Sequence, residues 1–382
     1  MGGKFADAAY WTIDSAFVSS KYYMNDLPAW VKAFNRSGMI ESYFGKIWQR
    51  LLPEQEYAAQ GPDDVAGEND RDGIGRVFPH IVRGLHGVVG ESYFDAFDCS
   101  PFSSEALAEF AMQAIINEKL GQRGVTDMLC IGFSANDRIG HAFGPNSHEV
   151  MDVTIRTDRI LEKLFAFINE KVGLQFCTMM LTADHGVAPM PEVLQAQNPQ
   201  SGALRVDGGD FVKIADAALT QRFGALSNDT TWIIYQDDEM IYLNPAALAE
   251  KNISAADAER VVKSALQSLP YVHAVYTHTE LASGNVFGEL GKKAWLSFHP
   301  PRSANIFLQL NPWVLNDDRG TTHGQPWSYD SHVALLWYGV GIKPGKYYQQ
   351  VEVADIAPTL ASILGVQPPA AVQGRALDAL IK

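Results

Sequence analysis

From Ser103 onward, apolar residues recur at helical spacing through SSEALAEFAMQAIINEKL, with a serine N-cap, an early glutamate and Gly121 as the stop. That pattern predicts a helix. The next apolar run, MLCIGFS, is short and bounded by turn residues, which predicts a buried strand. A long amphipathic helix over EVMDVTIRTDRILEKLFAFINEKVG and a second strand in CTMMLTADHG follow. Helix and strand in alternation imply an α/β domain with a mainly parallel sheet flanked by helices, whose chemistry gathers beyond the carboxyl ends of the strands.

The first hundred residues read differently. Aromatics mix with turn residues there, as in SSKYYMNDLPAW, and predict irregular surface structure with short helices. Between Val206 and Ser283 a strand pair (WIIYQ, MIYLNP), a helix capped by Ser254 and a strand (YVHAVYT) suggest a small α+β insertion. The expected division is therefore a core of 1–205 and 284–382 with an inserted subdomain at 206–283. After the insertion the runs SANIFLQLNP and VALLWYGVGIKPG resume strand-like patterning, and VADIAPTLASILGV predicts a helix starting near Asp355.

A chain of 382 residues with 47% hydrophobic and 19% charged residues has an ordinary globular composition. Its formal charge of -14 argues against a nucleic-acid-binding module, which needs clustered Lys and Arg. An anionic substrate stays open to such a chain if metal ions invert the local field. Cys99, Cys130 and Cys177 are too few and too scattered for a disulfide framework or a cysteine zinc site, and the latter two are expected as small buried hydrophobes. No apolar run is long enough to span a membrane, and the start, MGGKFADAAYW, lacks the pattern of a signal peptide.

Three segments carry candidate metal chemistry. Asp137 and His141 stand at i and i+4 in SANDRIGHAFGP, which on a helix puts a carboxylate and an imidazole on one face. Asp184 and His185 emerge where the run CTMMLT ends, with Gly186 to let the backbone turn. His323 sits in RGTTHGQPWSYDSH, a glycine-flanked turn; His332 competes for the role but abuts an apolar run and is expected to be packed. The other histidines, His80, His86, His148, His273, His278 and His299, lack a partner at ligand spacing and are expected on the surface or in satisfied structural roles. Two Asp and three His at strand-exit loops suit a two-metal site.

With these residues in hand, the chain resembles the alkaline phosphatase superfamily, in its type I phosphodiesterase and nucleotide pyrophosphatase branch, which includes monomeric bacterial periplasmic alkaline phosphatases. The matching segments are SANDRIGHAFGPNSHEVMDVTIRTDRIL, LTADHGVAPMP, GTTHGQPWSYDSHV and DIAPTLASILGV. The resemblance implies one zinc on Asp137, His141 and His323 and a second on Asp184 and His185, with Mn2+ as an alternative ion. It also implies small-molecule phosphate esters as substrates and a periplasmic or secreted parent protein. Family members carry a further Asp ligand, a Thr or Ser nucleophile, and Lys and Arg phosphate contacts upstream of the segment resembling GGKFADAAYW. No counterpart occurs here, so an N-terminal truncation with missing strands is expected, and Thr182, Thr321 and Thr322 are read as turn hydroxyls. The implied function is phosphomonoesterase, with phosphodiesterase or nucleotide pyrophosphatase as the alternative within the superfamily, and an inactive metal-binding fragment or pseudoenzyme as the alternative outside it.

Overall fold

The helical periodicity after residue 100 is realised as three helices, Pro101–Asn117, Ala135–Phe143 and His148–Lys171, in a computed structural model that describes residues 3–227, 230–368 and 370–382. The first begins two residues earlier than its serine pair suggests, because Pro101 occupies the first helical position, where its missing N–H is no loss. It ends at Asn117, short of Gly121. The early aromatic segment folds onto it: Phe17 stacks on Phe110 at 3.8 Å, with Tyr10, Trp30 and Phe34 around the same ring. The stretch expected to be irregular thus contains a hairpin, Trp11–Ile13 with Ala16–Val18, and a helix, Ala29–Arg36.

The chain divides into two units, the first comprising Met1–Asp64, Asp70–Gly186 and Val333–Lys382, the second Val65–Asn69 and Val187–His332. In the second, strands Ile233–Asp237, Met240–Leu243, Ile306–Leu310 and Val272–Thr277 form one antiparallel sheet in that spatial order. Helix Ala255–Leu266 packs on it, and the Ser254 hydroxyl accepts from the Asp257 N–H at its start. The strand at 306–310, read from sequence as part of the resumed core, is hydrogen-bonded into this sheet instead.

In the first unit the structure corrects two expectations. Residues 128–134 form no strand, and Met128 and Leu129 are exposed, as is Cys130. An apolar run becomes a strand only where another backbone satisfies its ladder, and among the described residues none pairs with this one. The strand in CTMMLTADHG does form, at Thr178–Thr182, but pairs antiparallel with Leu335–Gly339. Among the described residues the one parallel ladder between named strands joins Leu204–Arg205 to Val314–Leu315, so the mixed α/β fold lacks the expected mainly parallel pairing.

A buried polar cluster anchors the long helix His148–Lys171. Asp152 accepts from Trp48 Nε1 at 2.7 Å, from the Tyr57 hydroxyl at 2.6 Å, from the Leu51 N–H at 2.7 Å and from Arg156 Nε at 2.6 Å. Glu149 Oε1 lies 3.0 Å from His80 Nε2, both side chains being fully buried, while Glu149 Oε2 meets no partner among the described residues. A buried carboxylate is tolerated only when its charge is met by donors, so these contacts fix the helix against the 46–82 region. The His80 ring also packs on Phe143, the last residue of helix Ala135–Phe143.

Burial pushes the Glu149 carboxyl above the usual glutamate range, and His80 offsets this in part. A raised folded-state value means that the stabilisation is complete below the unfolded value and is lost as pH rises through the folded one. Glu149→Gln is therefore expected to gain thermal stability relative to the parent between acidic and mildly alkaline pH, measured by differential scanning calorimetry; a gap that narrows with rising pH would contradict this. A second expectation concerns the ribbon Thr178–Thr182/Leu335–Gly339, where Leu336 faces Leu181 across the ladder and the two are 61% and 40% exposed. Such a face is adhesive. Leu336→Lys should reduce concentration-dependent association measured by light scattering, and unchanged association would clear this face of the role.

Candidate metal centre

Helix Ala135–Phe143 turns its apolar side inward through Ala135, Ile139, Ala142 and Phe143 and presents Asp137 and His141 on the other side, one turn apart. It is tied to the long helix by Asn136, whose amide donates to Thr154 Oγ1 at 3.0 Å and accepts from Thr157 Oγ1 at 3.2 Å. Gly144, at φ 79°, reverses the chain between the two helices in a conformation that other residues rarely adopt. Asp184 and His185 follow the end of strand Thr178–Thr182. Gly186 does not adopt the positive φ its type permits; its carbonyl instead accepts from His185 Nδ1 at 2.8 Å.

Four of the five predicted ligands lie in the first unit, and the fold draws them together. His141 Nε2 is 3.4 Å from Asp137 Oδ1, His185 Nε2 is 3.9 Å from the same oxygen, and His185 Nε2 is 3.7 Å from Asp184 Oδ2. The last two separations exceed a hydrogen bond. The His141–Asp137 and His185–Asp184 separations suit two donors on one cation, since two ligands about 2.1 Å from a tetrahedral zinc stand roughly 3.4 Å apart. The His185 Nδ1–H bond to Gly186 leaves the Nε2 lone pair on the side of the carboxylates, the tautomer a ligand requires. Side-chain exposure of 39%, 27% and 24% for Asp137, His141 and His185 leaves the group half-buried, while Asp184 is 90% exposed. Hard oxygen and imidazole donors without sulfur fit zinc or manganese, and Asp137 and His141 belong to a candidate metal site.

His323 lies in the second unit, in a half-buried stretch without regular structure before the short helix Ser328–Ser331, with Gly324 at φ 109° beside it. His332 is exposed, contrary to the packed position its neighbours suggest. His80 and His148 are buried and bonded, to Glu149 and Ile74 and to Asp63 and Gly61 respectively, as satisfied structural groups. His86, His273 and His299 are exposed, while His278 is half-buried with its ring against Phe298 and Nε2 on the Pro300 carbonyl. Thr321 is buried with its hydroxyl donating to the Ala188 carbonyl at 2.6 Å, and Thr182 turns to the Ala183 carbonyl at 3.3 Å. A separate cleft in the second unit is lined by Asp207, Asp238, Asp317 and Asp318, a charge that repels phosphate esters. The residues that spacing missed are those bracing the His323 stretch, chiefly Arg205 and Glu192, which are 13 positions apart and carry no periodic signal.

Comparison with known proteins identifies the family. A family model described as Type I phosphodiesterase / nucleotide pyrophosphatase matches residues 8–318. Alkaline phosphatase PhoV of Synechococcus elongatus is 30% identical over 388 residues, covering 100% of this chain and 68% of that protein. Alkaline phosphatase PafA of Elizabethkingia meningoseptica is 30% identical over 380 residues, covering 98% of this chain and 67% of the relative. A protein named calcium-transporting ATPase from Myroides odoratus is 32% identical over 374 residues, 96% of this chain and 67% of its own. The crystal structure of wild-type PafA superposes with a TM-score of 0.89 at 29% identity, over 100% of this chain and 72% of that one. The chain spans about two thirds of the length of these relatives. No described helix is long and apolar enough to cross a membrane. A match across most of the chain, together with the PafA-like fold, places this chain in the type I phosphodiesterase / nucleotide pyrophosphatase family of phosphoester hydrolases.

Proposed function

We propose that the chain forms the metal-binding part of a two-zinc phosphomonoesterase acting on small-molecule phosphate esters. The observation that carries the reading is the convergence of Asp137, His141, Asp184 and His185 at separations suited to shared cations. The PhoV and PafA names favour monoesters. Asp137, His141 and His323 would hold one zinc, Asp184 and His185 the other. Zinc in such a site supplies Lewis-acid stabilisation to the oxygens flanking phosphorus. Helix Ala135–Phe143 spaces Asp137 from His141, and the Gly186 carbonyl keeps His185 in its ligating tautomer. The Asp137 and Asp184 carboxylates, on a chain of net charge -14, repel an anionic ester until cations neutralise them, which makes activity metal-dependent.

Attack on phosphorus by a Thr or Ser hydroxyl, which loses its proton as the P–O bond to the ester's alcohol breaks and the alcohol leaves, gives a phosphoenzyme that water then hydrolyses to inorganic phosphate and the free hydroxyl; this is the proposed course. Of the threonine hydroxyls near the ligands in sequence, that of Thr321 donates to the Ala188 carbonyl and that of Thr182 to the Ala183 carbonyl. The nucleophile is accordingly assigned to polypeptide outside these residues, and the parent enzyme to the periplasm or the secreted fraction. The phosphodiesterase reading is kept as second because the matching family model carries that description.

Metal analysis of the zinc-loaded chain should give about two ions per molecule, falling by about one in Asp184→Ala and His185→Ala and unchanged in His332→Ala; full retention by the first two variants would remove them from the ligand set. With zinc present, p-nitrophenyl phosphate turnover by this chain should stay near background. High turnover abolished by Thr321→Ala or Thr322→Ala would show that the nucleophile is here. If turnover is restored by added polypeptide, comparison with bis(p-nitrophenyl) phosphate decides between monoester and diester preference.

A further inference from the structure

We infer that Arg205 is a positioning residue for His323, acting through the backbone of the loop that carries it. This inference rests on the proposed role of His323 as a zinc ligand. Arg205 ends the strand Leu204–Arg205, and its guanidinium makes four bonds at once. Nε donates to Glu192 Oε1 at 2.6 Å and Nη2 to Glu192 Oε2 at 2.8 Å, the bidentate fork that only arginine forms. Nη1 donates to the Asp317 carbonyl at 2.9 Å and Nη2 also to the Gly320 carbonyl at 2.7 Å. The two side chains are 16% and 27% exposed, so the bonds are largely shielded from water.

The partner side is equally constrained. Glu192 lies in the first turn of helix Pro191–Gln197 and closes against Gly67, where an added Cβ would stand 2.5 Å from Glu192 Oε2 and 3.1 Å from Arg205 Nη2. Gly67 is at φ 98°, and its carbonyl accepts from the Gly320 N–H at 2.6 Å. Beyond Gly320 the Thr321 hydroxyl and the Thr322 carbonyl both bond to Ala188, at 2.6 and 3.2 Å. On the far side of His323 the Gln325 N–H donates to Asp330 Oδ2 at 2.9 Å, and Gln325 Oε1 accepts from the Leu310 N–H at 3.0 Å. His323 therefore sits between two clamped points in a segment that lacks helix or strand of its own. Arg205 holds the first of them by two carbonyls, three and six residues ahead of the imidazole.

The test is a double-mutant cycle on zinc affinity, read by chelator competition on the full chain, with the melting temperature of the metal-free protein as a second readout. His323→Ala should weaken zinc binding. Arg205→Gln should weaken it by about tenfold or more, as loss of a ligand's support does, and Arg205→Lys, which keeps the charge without the fork, should fall between. In the His323→Ala background, Arg205→Gln should cost no further affinity. Equal losses in both backgrounds, or no loss in either, would overturn the inference. If Arg205→Gln unfolds the second unit, Arg205→Lys carries the same cycle. An unchanged affinity in His323→Ala alone would instead sink the ligand reading on which the inference stands.

Discussion

The need to satisfy two carboxylates buried without access to water, Glu149 and Asp152, fixes the start of the long helix, and the site depends on that fixation. A desolvated charge must be met by donors, so Trp48, Tyr57, the Leu51 amide and Arg156 are drawn to Asp152, while His80 pairs with Glu149 one turn earlier. Helix Ala135–Phe143 is carried on the same frame, by Asn136 bonded to Thr154 and Thr157 and by Phe143 against His80. The spacing of Asp137 and His141 is set by the helix; their direction is set by this anchoring.

Electrostatics then shapes the chemistry. The chain is acidic overall, and the proposed ligand set adds two carboxylates where, on the proposed reading, a phosphate ester would bind. Cations at that point would reverse the sign of the field, and metal loading and substrate binding would then be one problem. The acidic cleft lined by Asp207, Asp238, Asp317 and Asp318 lacks imidazole and fits the substrate class poorly.

Local signals in the sequence translated well into structure. The 3.6-residue periodicity foretold the long helix almost to the residue, the i, i+4 rule placed Asp137 beside His141, and Ser254 caps its helix as read. Non-local pairing did not translate. The run MLCIGFS has the composition of a buried strand, yet composition says nothing about which backbone will complete its ladder, and among the described residues none does. The same gap hid the antiparallel pairing of Thr178–Thr182 with Leu335–Gly339, over 150 residues away in sequence, and the Arg205–Glu192 fork. The sequence set His323 apart from His332 by its glycine-flanked turn and expected His332 to be packed, whereas the structure leaves His332 exposed and His323 half-buried.

The central claim is that Asp137, His141, Asp184 and His185 are metal ligands. Anomalous diffraction at the zinc edge from crystals of the zinc-loaded chain tests it most directly. The account predicts density peaks within about 2.0–2.2 Å of the His141 and His185 Nε2 atoms and of carboxylate oxygens of Asp137 and Asp184. Peaks confined to the Asp207/Asp317 cleft, with none at these four side chains, would contradict it.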